Sequence, residues 1–360
     1  MNGLESLGWT PFFESQIDRD ADSNLTPARV AEEQRGQYTL LANGAAWHGE
    51  LAGRLRHAAN TEGATLPCVG DWVLTTLPSG RPEDGVARVE RVLDRRSKFS
   101  RKEAGNRSAE QIIAANIDTV FLVQSLNGDL NPRRLERYLT LLWESGAEPV
   151  VLLSKADLSA DREGAVAEFE AVAQGAAVHA VSAMEPEGLA ALDRYLAPGT
   201  TAALVGSSGV GKSTILNTLV GREEMRVQEI RADDRGRHTT TARHLVPLPQ
   251  GGLLIDTPGM RTVILWEGED GLGKAFGDVE AVAAECRFRD CTHATEPGCA
   301  VRDAIEAGTL DAARFRSYAK LGREAKRMAM KTDVRLREEE KRKWKRVHSA
   351  LRARPDKRNG

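Results

Sequence analysis

The chain predicts three architectural parts: a small antiparallel β-barrel, an α/β domain with a mostly parallel sheet, and a C-terminal helical region organised by a metal. Three observations support this division. Between residues 36 and 93, from "GQYTLLANG" to "GVARVERVL", short alternating runs are broken by Gly and Pro, the pattern of a small antiparallel barrel. From Asp118 onward, apolar runs of strand length alternate with helical patterns, which calls for helices on both faces of a parallel sheet. Cys286, Cys291, His293 and Cys299 fall within 14 residues, a spacing suited to a metal rather than to a disulfide framework.

Taken in order, residues 1–33 are polar and irregular and are expected to form a loosely ordered extension. Residues 34–100 are assigned to the barrel, where Cys68 in "PCVGDWVLTTL" is expected to be buried. "KFSRKEAGNRSAEQ", residues 98–111, reads as a polar connector, after which "IIAANIDTVFLVQSL" begins a buried strand. The α/β domain is assigned to residues 101–270. In "NPRRLERYLTLLWESG", Asn131 can cap, Pro132 suits the first helical position, and Leu135, Leu139 and Leu142 form an apolar stripe that ends at Gly146. Residues 271–360 hold the Cys/His cluster and a basic tail.

Composition narrows the function classes. The chain has 360 residues, 41% of them hydrophobic and 28% charged, and no apolar run approaches the roughly 18 residues of a membrane helix. The start has neither a basic leader nor an apolar core of the secretory kind, so a cytoplasmic location is expected. Nothing demands an oligomer, and a monomer is expected. The net charge of -2 conceals an asymmetry: residues 314–360 hold 18 Lys/Arg against 6 Asp/Glu, leaving 32 against 46 elsewhere. Such a segment, carrying Tyr318 and Trp344, is either a solvated helix or an RNA-facing one.

"GSSGVGKST" fits the phosphate-loop pattern with Gly206, Gly211, Lys212 and Ser213. Backbone N–H groups across Gly206, Ser207, Ser208, Gly209, Val210, Gly211 and Thr214 can close on phosphate oxygens, Lys212 brings positive charge, and Ser213 offers a hydroxyl to magnesium. A Gly-rich turn of no function is the alternative. The entering strand "TAALVG" and the leaving helix "STILNTLVG" favour the nucleotide site. Downstream, "LLIDTPG" delivers Asp256, which can hold magnesium through water, and Gly259, whose N–H can face the terminal phosphate. Between them, "RADDRGRHTTTARH" has the composition of a switch loop, and one of Thr239, Thr240 and Thr241, with Thr240 favoured, is expected to reach the metal.

The base reader lies upstream of the phosphate loop, at Ser154, Lys155, Ala156 and Asp157. A carboxylate at Asp157 can accept both N1–H and N2–H of guanine, a pair that adenine lacks, while the Lys155 stem covers the base. Ser182 and Ala183, in "VSA", can back the base with backbone N–H. The order of motifs is therefore base reader, base backing, phosphate loop, switch, metal aspartate. A parallel sheet tolerates that permutation because its sites sit at strand ends.

The ordered set "SKADL", "VSA", "GSSGVGKST", "RGRHTTT" and "DTPG", with "CRFRDCTHATEPGCAV" downstream, resembles the circularly permuted, ribosome small subunit-dependent GTPases of bacteria from about residue 36 to 330. The resemblance implies an OB-fold barrel, a P-loop GTPase with permuted motifs and a helical zinc-binding domain. It also implies GTP hydrolysis with bound Mg2+, and binding to the 30S subunit and its 16S rRNA late in maturation, with contacts shared by barrel, zinc knuckle and basic tail. No DNA or membrane partner is implied. Ser154 stands where the family often has Asn, and offers fewer hydrogen bonds.

Cys286, Cys291, His293 and Cys299 supply three thiolates and one imidazole, a closed tetrahedral set for one structural zinc ion. Where many GTPases align the attacking water with a Gln, this chain has Met260. His238 is the candidate for that catalytic role, and an exposed switch histidine without one is the alternative. Two other function classes compete: an RNA-binding assembly factor in which nucleotide only gates affinity, and an ATP-dependent P-loop enzyme.

Overall fold

The computed structural model describes residues 3–61, 65–102, 110–126, 132–185, 187–207, 209–221, 244–256, 269–332 and 338. They divide into two compact units, the first drawn from Met1–Ser100 and Ile112–Val263, the second from Arg101–Gln111 and Ile264–Gly360. Among the described residues, no helix is long and apolar enough to cross a membrane.

A short helix, α1 (Pro11–Glu14), precedes the barrel strands β1 (Thr26–Gln34), β2 (Gln37–Ala42), β3 (Ala45–Leu51), β4 (Trp72–Thr76) and β5 (Ala87–Val92), with α2 (Gly53–Thr61) between β3 and β4. The strands pair in the order β1-β2-β3-β5-β4, and β4 returns to β1, so the barrel closes on five strands. All pairs are antiparallel except β3 with β5. Asn43 and Gly44, both with positive φ, form the two-residue turn from β2 to β3, whose left-handed backbone matches the strand twist. Val30, Leu40, Trp47, Val73 and Val89 fill the interior.

The N-terminal segment is not the loosely ordered extension that its composition suggests. The first barrel strand begins at Thr26, inside residues 1–33, and Phe13 is fully buried with Trp72, Leu74 and Leu93. Leu4, Leu7, Trp9 and Ile17 pack against that cluster, and the Trp9 and Trp72 rings meet edge to face at 4.7 Å. Full burial of one such side chain contributes about 1.5–3 kcal/mol. The apolar residues follow no regular period, because they serve a plug and not a strand or helix face.

Residues 98–111 also depart from a simple connector. β6 (Lys98–Lys102) and β7 (Glu110–Ala115) form a separate two-stranded sheet. The long apolar run then breaks at Asn116, which takes a positive φ and donates its side-chain amide to Gly70 O at 3.2 Å.

The remaining strands of the first unit are β8 (Thr119–Ser125), β9 (Glu148–Ser154), β10 (Ala177–Ala180), β11 (Thr201–Val205), β12 (His244–Pro247) and β13 (Leu253–Asp256). They order as β10-β9-β8-β11-β13-β12, parallel throughout except for β12. Every residue of β8 and β11 is buried, as strands covered on both faces require. Helices α3 (Pro132–Glu144), α4 (Arg162–Glu170) and α5 (Lys212–Val220) follow β8, β9 and β11. Leu135, Leu139 and Leu142 of α3 are buried as the stripe predicts. Strand order reverses between β8 and β11, the position at which open α/β sheets bind ligands beyond their strand ends.

Among the described residues, strand pairing joins barrel and parallel sheet at one residue pair, Glu32 with His244, and Arg29 adds side-chain bonds between them. This fully buried guanidinium donates to Leu7 O at 2.6 Å, Asn116 O at 3.0 Å and Thr201 Oγ1 at 3.2 Å. It also lies 5.3 Å from the Trp72 ring centre. Burial draws its pKa down to about 10, while Asp118 and Asp71 act in the opposite direction, so it stays charged at neutral pH.

The second unit contains α6 (Glu269–Ala275), α7 (Gly277–Ala284), α8 (Ala300–Glu306) and α9 (Ala312–Thr332). Arg314 of α9 grips both Asp278 carboxylate oxygens, at 2.6 and 2.8 Å, and Ala275 O at 2.9 Å. Tyr318 donates to Glu280 at 2.6 Å, and Leu321 and Ala325 complete the buried face of α9.

Arg29→Ala strands two buried acceptors, Asn116 O and Thr201 Oγ1, each costing roughly 1–3 kcal/mol if left unpaired, and the part-buried Leu7 O. Urea denaturation followed by tryptophan fluorescence is expected to show a loss of about 3 kcal/mol or more. Arg29→Lys should recover only part of it, because one ammonium cannot reproduce the planar fork.

Candidate functional site

The base-reader residues lie where β9 ends. Lys155 takes a left-handed conformation and starts the turn Ala156–Leu158, whose first amide, Ala156 N–H, bonds to Val181 O at 3.1 Å beyond β10. Ser182 Oγ donates to Asp157 Oδ1 at 2.6 Å and itself accepts from Met184 N at 3.1 Å. The Asp157 carboxylate is thus oriented by a hydroxyl, a side-chain role for Ser182 that sequence reasoning did not assign. Nearby, Arg162 holds Glu185 in a bidentate ion pair at 2.6 and 3.0 Å.

The phosphate loop joins β11 to α5. Gly206, Gly209 and Gly211 all have positive φ, and a Cβ on Gly206 would lie 2.4 Å from Val123 O on β8. Only glycine fits that close approach. Lys212 Nζ donates back across the loop to Gly206 O at 2.9 Å and Ser207 O at 2.7 Å. Ser213 and Thr214 follow in the first turn of α5, half-buried, where backbone N–H groups and the helix dipole favour an anion.

The two motifs meet directly. Ser154 Oγ, buried, lies 2.6 Å from Val210 O in the phosphate loop and 3.0 Å from Gln124 O on β8. A hydroxyl carries one proton, and the shorter contact ties the base-reader strand to the phosphate loop across 56 residues of sequence. Asp256 ends β13 with its backbone paired to Leu204 of β11 and to His244 of β12, at the same edge of the sheet. The side chain of Asp256 lies outside the described residues, as do Ser208, His238, Thr239, Thr240, Thr241, Gly259, Met260 and Trp344.

In the second unit, the ligand atoms of Cys286, Cys291, His293 and Cys299 all lie within 4.8 Å of one another. His293 Nδ1 is 3.6 Å from Cys286 Sγ and 3.5 Å from Cys299 Sγ. A tetrahedral zinc ion with its usual bond lengths separates sulfur from nitrogen by about 3.6 Å, so the donor set fits zinc with all four positions filled. Cys286 follows α7 and Cys299 caps α8. The His293 ring rests edge to face on Phe315 of α9 at 5.7 Å.

Sequence reasoning missed Glu296. Its carboxylate accepts from Thr292 Oγ1 at 2.5 Å and from the backbone amides of Thr292, Ala294 and Thr295 at 3.0–3.1 Å. The Thr292 hydroxyl, helped by the backbone amides of Glu296, Thr292 and Thr295, holds the Glu296 carboxyl down at about 2. The only available signal was an acid three residues from each of two metal-ligand candidates.

Residues 92–266 match the family described as RsgA GTPase. The chain is 46% identical over 361 residues to the small ribosomal subunit biogenesis GTPase RsgA of Opitutus terrae, covering 98% of this chain and 97% of that one. It is 47% identical over 326 residues to RsgA 2 of the same description from Vibrio parahaemolyticus, covering 90% and 86%. Among solved structures it is similar to YjeQ from Thermotoga maritima, with a TM-score of 0.61, 25% identity and coverage of 84% and 98%. It also shares its fold with YloQ, a circularly permuted GTPase, at a TM-score of 0.60, 23% identity and coverage of 86% and 98%.

Metal analysis of the purified chain is expected to find one zinc ion per polypeptide, lost on Cys291→Ser. Glu296→Gln keeps all four ligands but removes the charge that gathers the loop amides. Its zinc affinity, measured by competition with a coloured chelator, should fall about tenfold; an unchanged value would deny the carboxylate that role.

Proposed function

Because this chain belongs to the RsgA GTPase family and is a GTP-hydrolysing P-loop protein, we propose that it binds the small (30S) ribosomal subunit and assists its late maturation. Its turnover of GTP to GDP and phosphate is stimulated by the subunit. The support for a ribosomal partner is the shared description of its relatives as small ribosomal subunit biogenesis GTPases. The observation that carries the nucleotide reading is the Ser154 contact to Val210, which unites base reader and phosphate loop in one site.

In this reading, Asp157, oriented by Ser182, accepts N1–H and N2–H of guanine, the Lys155 stem covers the ring, and the backbone at Ala156 and Ala183 closes the base pocket. The amides from Gly206 to Thr214 surround the phosphates, with Lys212 against the terminal ones. Ser213, Thr240 and, through water, Asp256 would hold Mg2+, which supplies charge neutralisation on the phosphates. Gly259 donates to the terminal phosphate. His238 orients the attacking water, because Met260 cannot polarise it. Subunit docking brings the switch residues into line, and GTP favours the docked state while hydrolysis favours release. The Cys286, Cys291, His293 and Cys299 zinc ion is structural. The chain acts as a cytoplasmic monomer, with 16S rRNA as its direct contact.

Three measurements test this reading. GTP turnover with and without 30S particles should show a clear stimulation; identical rates would remove the ribosome from the mechanism. Asp157→Asn should lower GTP affinity roughly 10- to 150-fold and move preference toward xanthosine triphosphate, whose C2 oxygen accepts where guanine donates. Ser154→Ala, in contrast, should speed GDP release about fivefold with base preference unchanged, as stopped-flow with a fluorescent nucleotide would show.

A further inference from the structure

An ion pair bridges the two chain segments that carry the base-pocket residues. Arg162 opens α4 just after the turn Ala156–Leu158, and its guanidinium donates to both carboxylate oxygens of Glu185, at 2.6 and 3.0 Å, across 23 residues of sequence. A planar, charge-assisted fork of this kind fixes orientation as well as distance. Glu185 belongs to the loop that carries Ser182 and Ala183. Ser182 N–H donates to Gly188 O at 3.2 Å and Gly188 N–H to Glu185 O at 3.1 Å, and a Cβ on Gly188 would lie 2.1 Å from Ser182 O. The loop is therefore one tight piece, and Arg162 holds it by its outer end.

Helix stability does not account for Arg162. A cation at the first position of a helix opposes the positive end of the macrodipole, and Asp161 already caps α4 by accepting from Gly164 N–H at 2.8 Å. The carboxylate partner explains the placement. Hydrogen bonding to Glu185 raises the Arg162 pKa and the charge of Asp157 adds to the rise, so the guanidinium also feels the carboxylate assigned to the base. Apolar packing contributes little to closing the pocket, since Leu158, next to Asp157, and Met184, two residues after Ser182, are 62% and 75% exposed. Among the described residues, two side-chain links join residues 155–162 to the 182–188 loop: Ser182 to Asp157, and Arg162 to Glu185.

We infer that Arg162 and Glu185 form the clasp of the base pocket: their pair holds the loop bearing Ser182 and Ala183 against the turn bearing Asp157, and so sets how long a guanine nucleotide stays bound. The inference rests on the reading of Asp157 as base reader and deepens it by naming what keeps that pocket shut. Both are positioning residues. When the pair opens, the loop swings outward, which withdraws the Ser182 hydroxyl from Asp157 and the backing amides from the base. Nucleotide release follows. Both side chains are partly exposed, so the effect is modest and is weakened by salt.

The test follows release of a fluorescent GDP analogue by stopped flow from the full chain and from Arg162→Gln, Glu185→Gln and the double variant, over a series of potassium chloride concentrations. At low salt each single variant should release GDP about threefold faster than wild type. The double variant should be no faster than either single one, as expected of two residues that act through one contact. At about 1 M salt, where screening extends to roughly 3 Å, the wild-type and variant rates should converge. Single variants that release at the wild-type rate would overturn the inference, as would effects that multiply in the double variant. A difference that persists undiminished at high salt would overturn it too, by assigning the residues to packing and not to a charge pair. Asp157→Asn, run alongside, separates the two readings. If it moves base preference while the clasp variants keep wild-type release, the clasp alone fails; if it leaves base preference unchanged, the base-reader reading fails and the clasp falls with it.

Discussion

A guanidinium withdrawn from water fixes the frame on which the first unit is built. Arg29 belongs to the barrel, yet its three acceptors belong to the N-terminal segment, to the turn before β8 and to the start of β11. Strand pairing alone joins barrel and sheet by a single residue pair. A buried charge tolerates little displacement, since any movement leaves it desolvated without partners. The surrounding ion pairs extend the lock: Asp118 accepts from Thr201 N and pairs with Arg96, and Asp71 is gripped by Arg95 at 2.5 Å. Gly70 lets the chains approach this closely, because a Cβ there would lie 2.1 Å from Ala115 O.

With that frame held at one end of the sheet, the opposite end is free to carry the chemistry. Permutation changes which strand follows which in sequence, but β9, β8, β11 and β13 still lie side by side with parallel direction. Their final residues therefore share one edge whatever order the chain visits them. The base reader and the phosphate loop arrive there from different connections, and a single buried hydroxyl, Ser154, spans the gap. The smaller side chain in place of an amide is accommodated because Val210 O comes within 2.6 Å. A contact this short and this buried couples movement of the phosphate loop to the strand that bears Lys155 and Asp157.

Much of this was legible in the sequence, for reasons that differ by element. The parallel strands announced themselves as unbroken apolar runs, and α3 by its stripe and its terminal glycine, because burial on both faces or on one face leaves a period. The phosphate loop and the four metal-ligand candidates were legible because backbone geometry and coordination chemistry permit few residue types. The N-terminal plug was not, since Leu4, Trp9 and Phe13 pack on Trp72 without any repeat that a pattern search can detect. Nor was the split between β7 and β8, which depends on one left-handed Asn116 held by Gly70 and Arg96. Glu296 and the orienting bond from Ser182 to Asp157 escaped notice because both are contacts between side chains and loops whose paths the sequence does not specify.

The distribution of cations separates structure from encounter. In the first unit, Arg88, Arg91, Arg95, Arg96 and Arg162 are paired with carboxylates and Arg29 with carbonyls and a hydroxyl. On α9, Arg316, Lys320, Arg323 and Arg327 are exposed in one stripe, and the chain continues past it with further Lys and Arg. Attraction between such a stripe and phosphate is strong at low salt but indifferent to base sequence. It can raise the rate at which a large anionic particle is met. The strand that pairs with barrel strand β1 at Glu32 is β12, whose His244 lies three residues after Thr241 in sequence. That pairing ties β12 to the barrel by sheet hydrogen bonding.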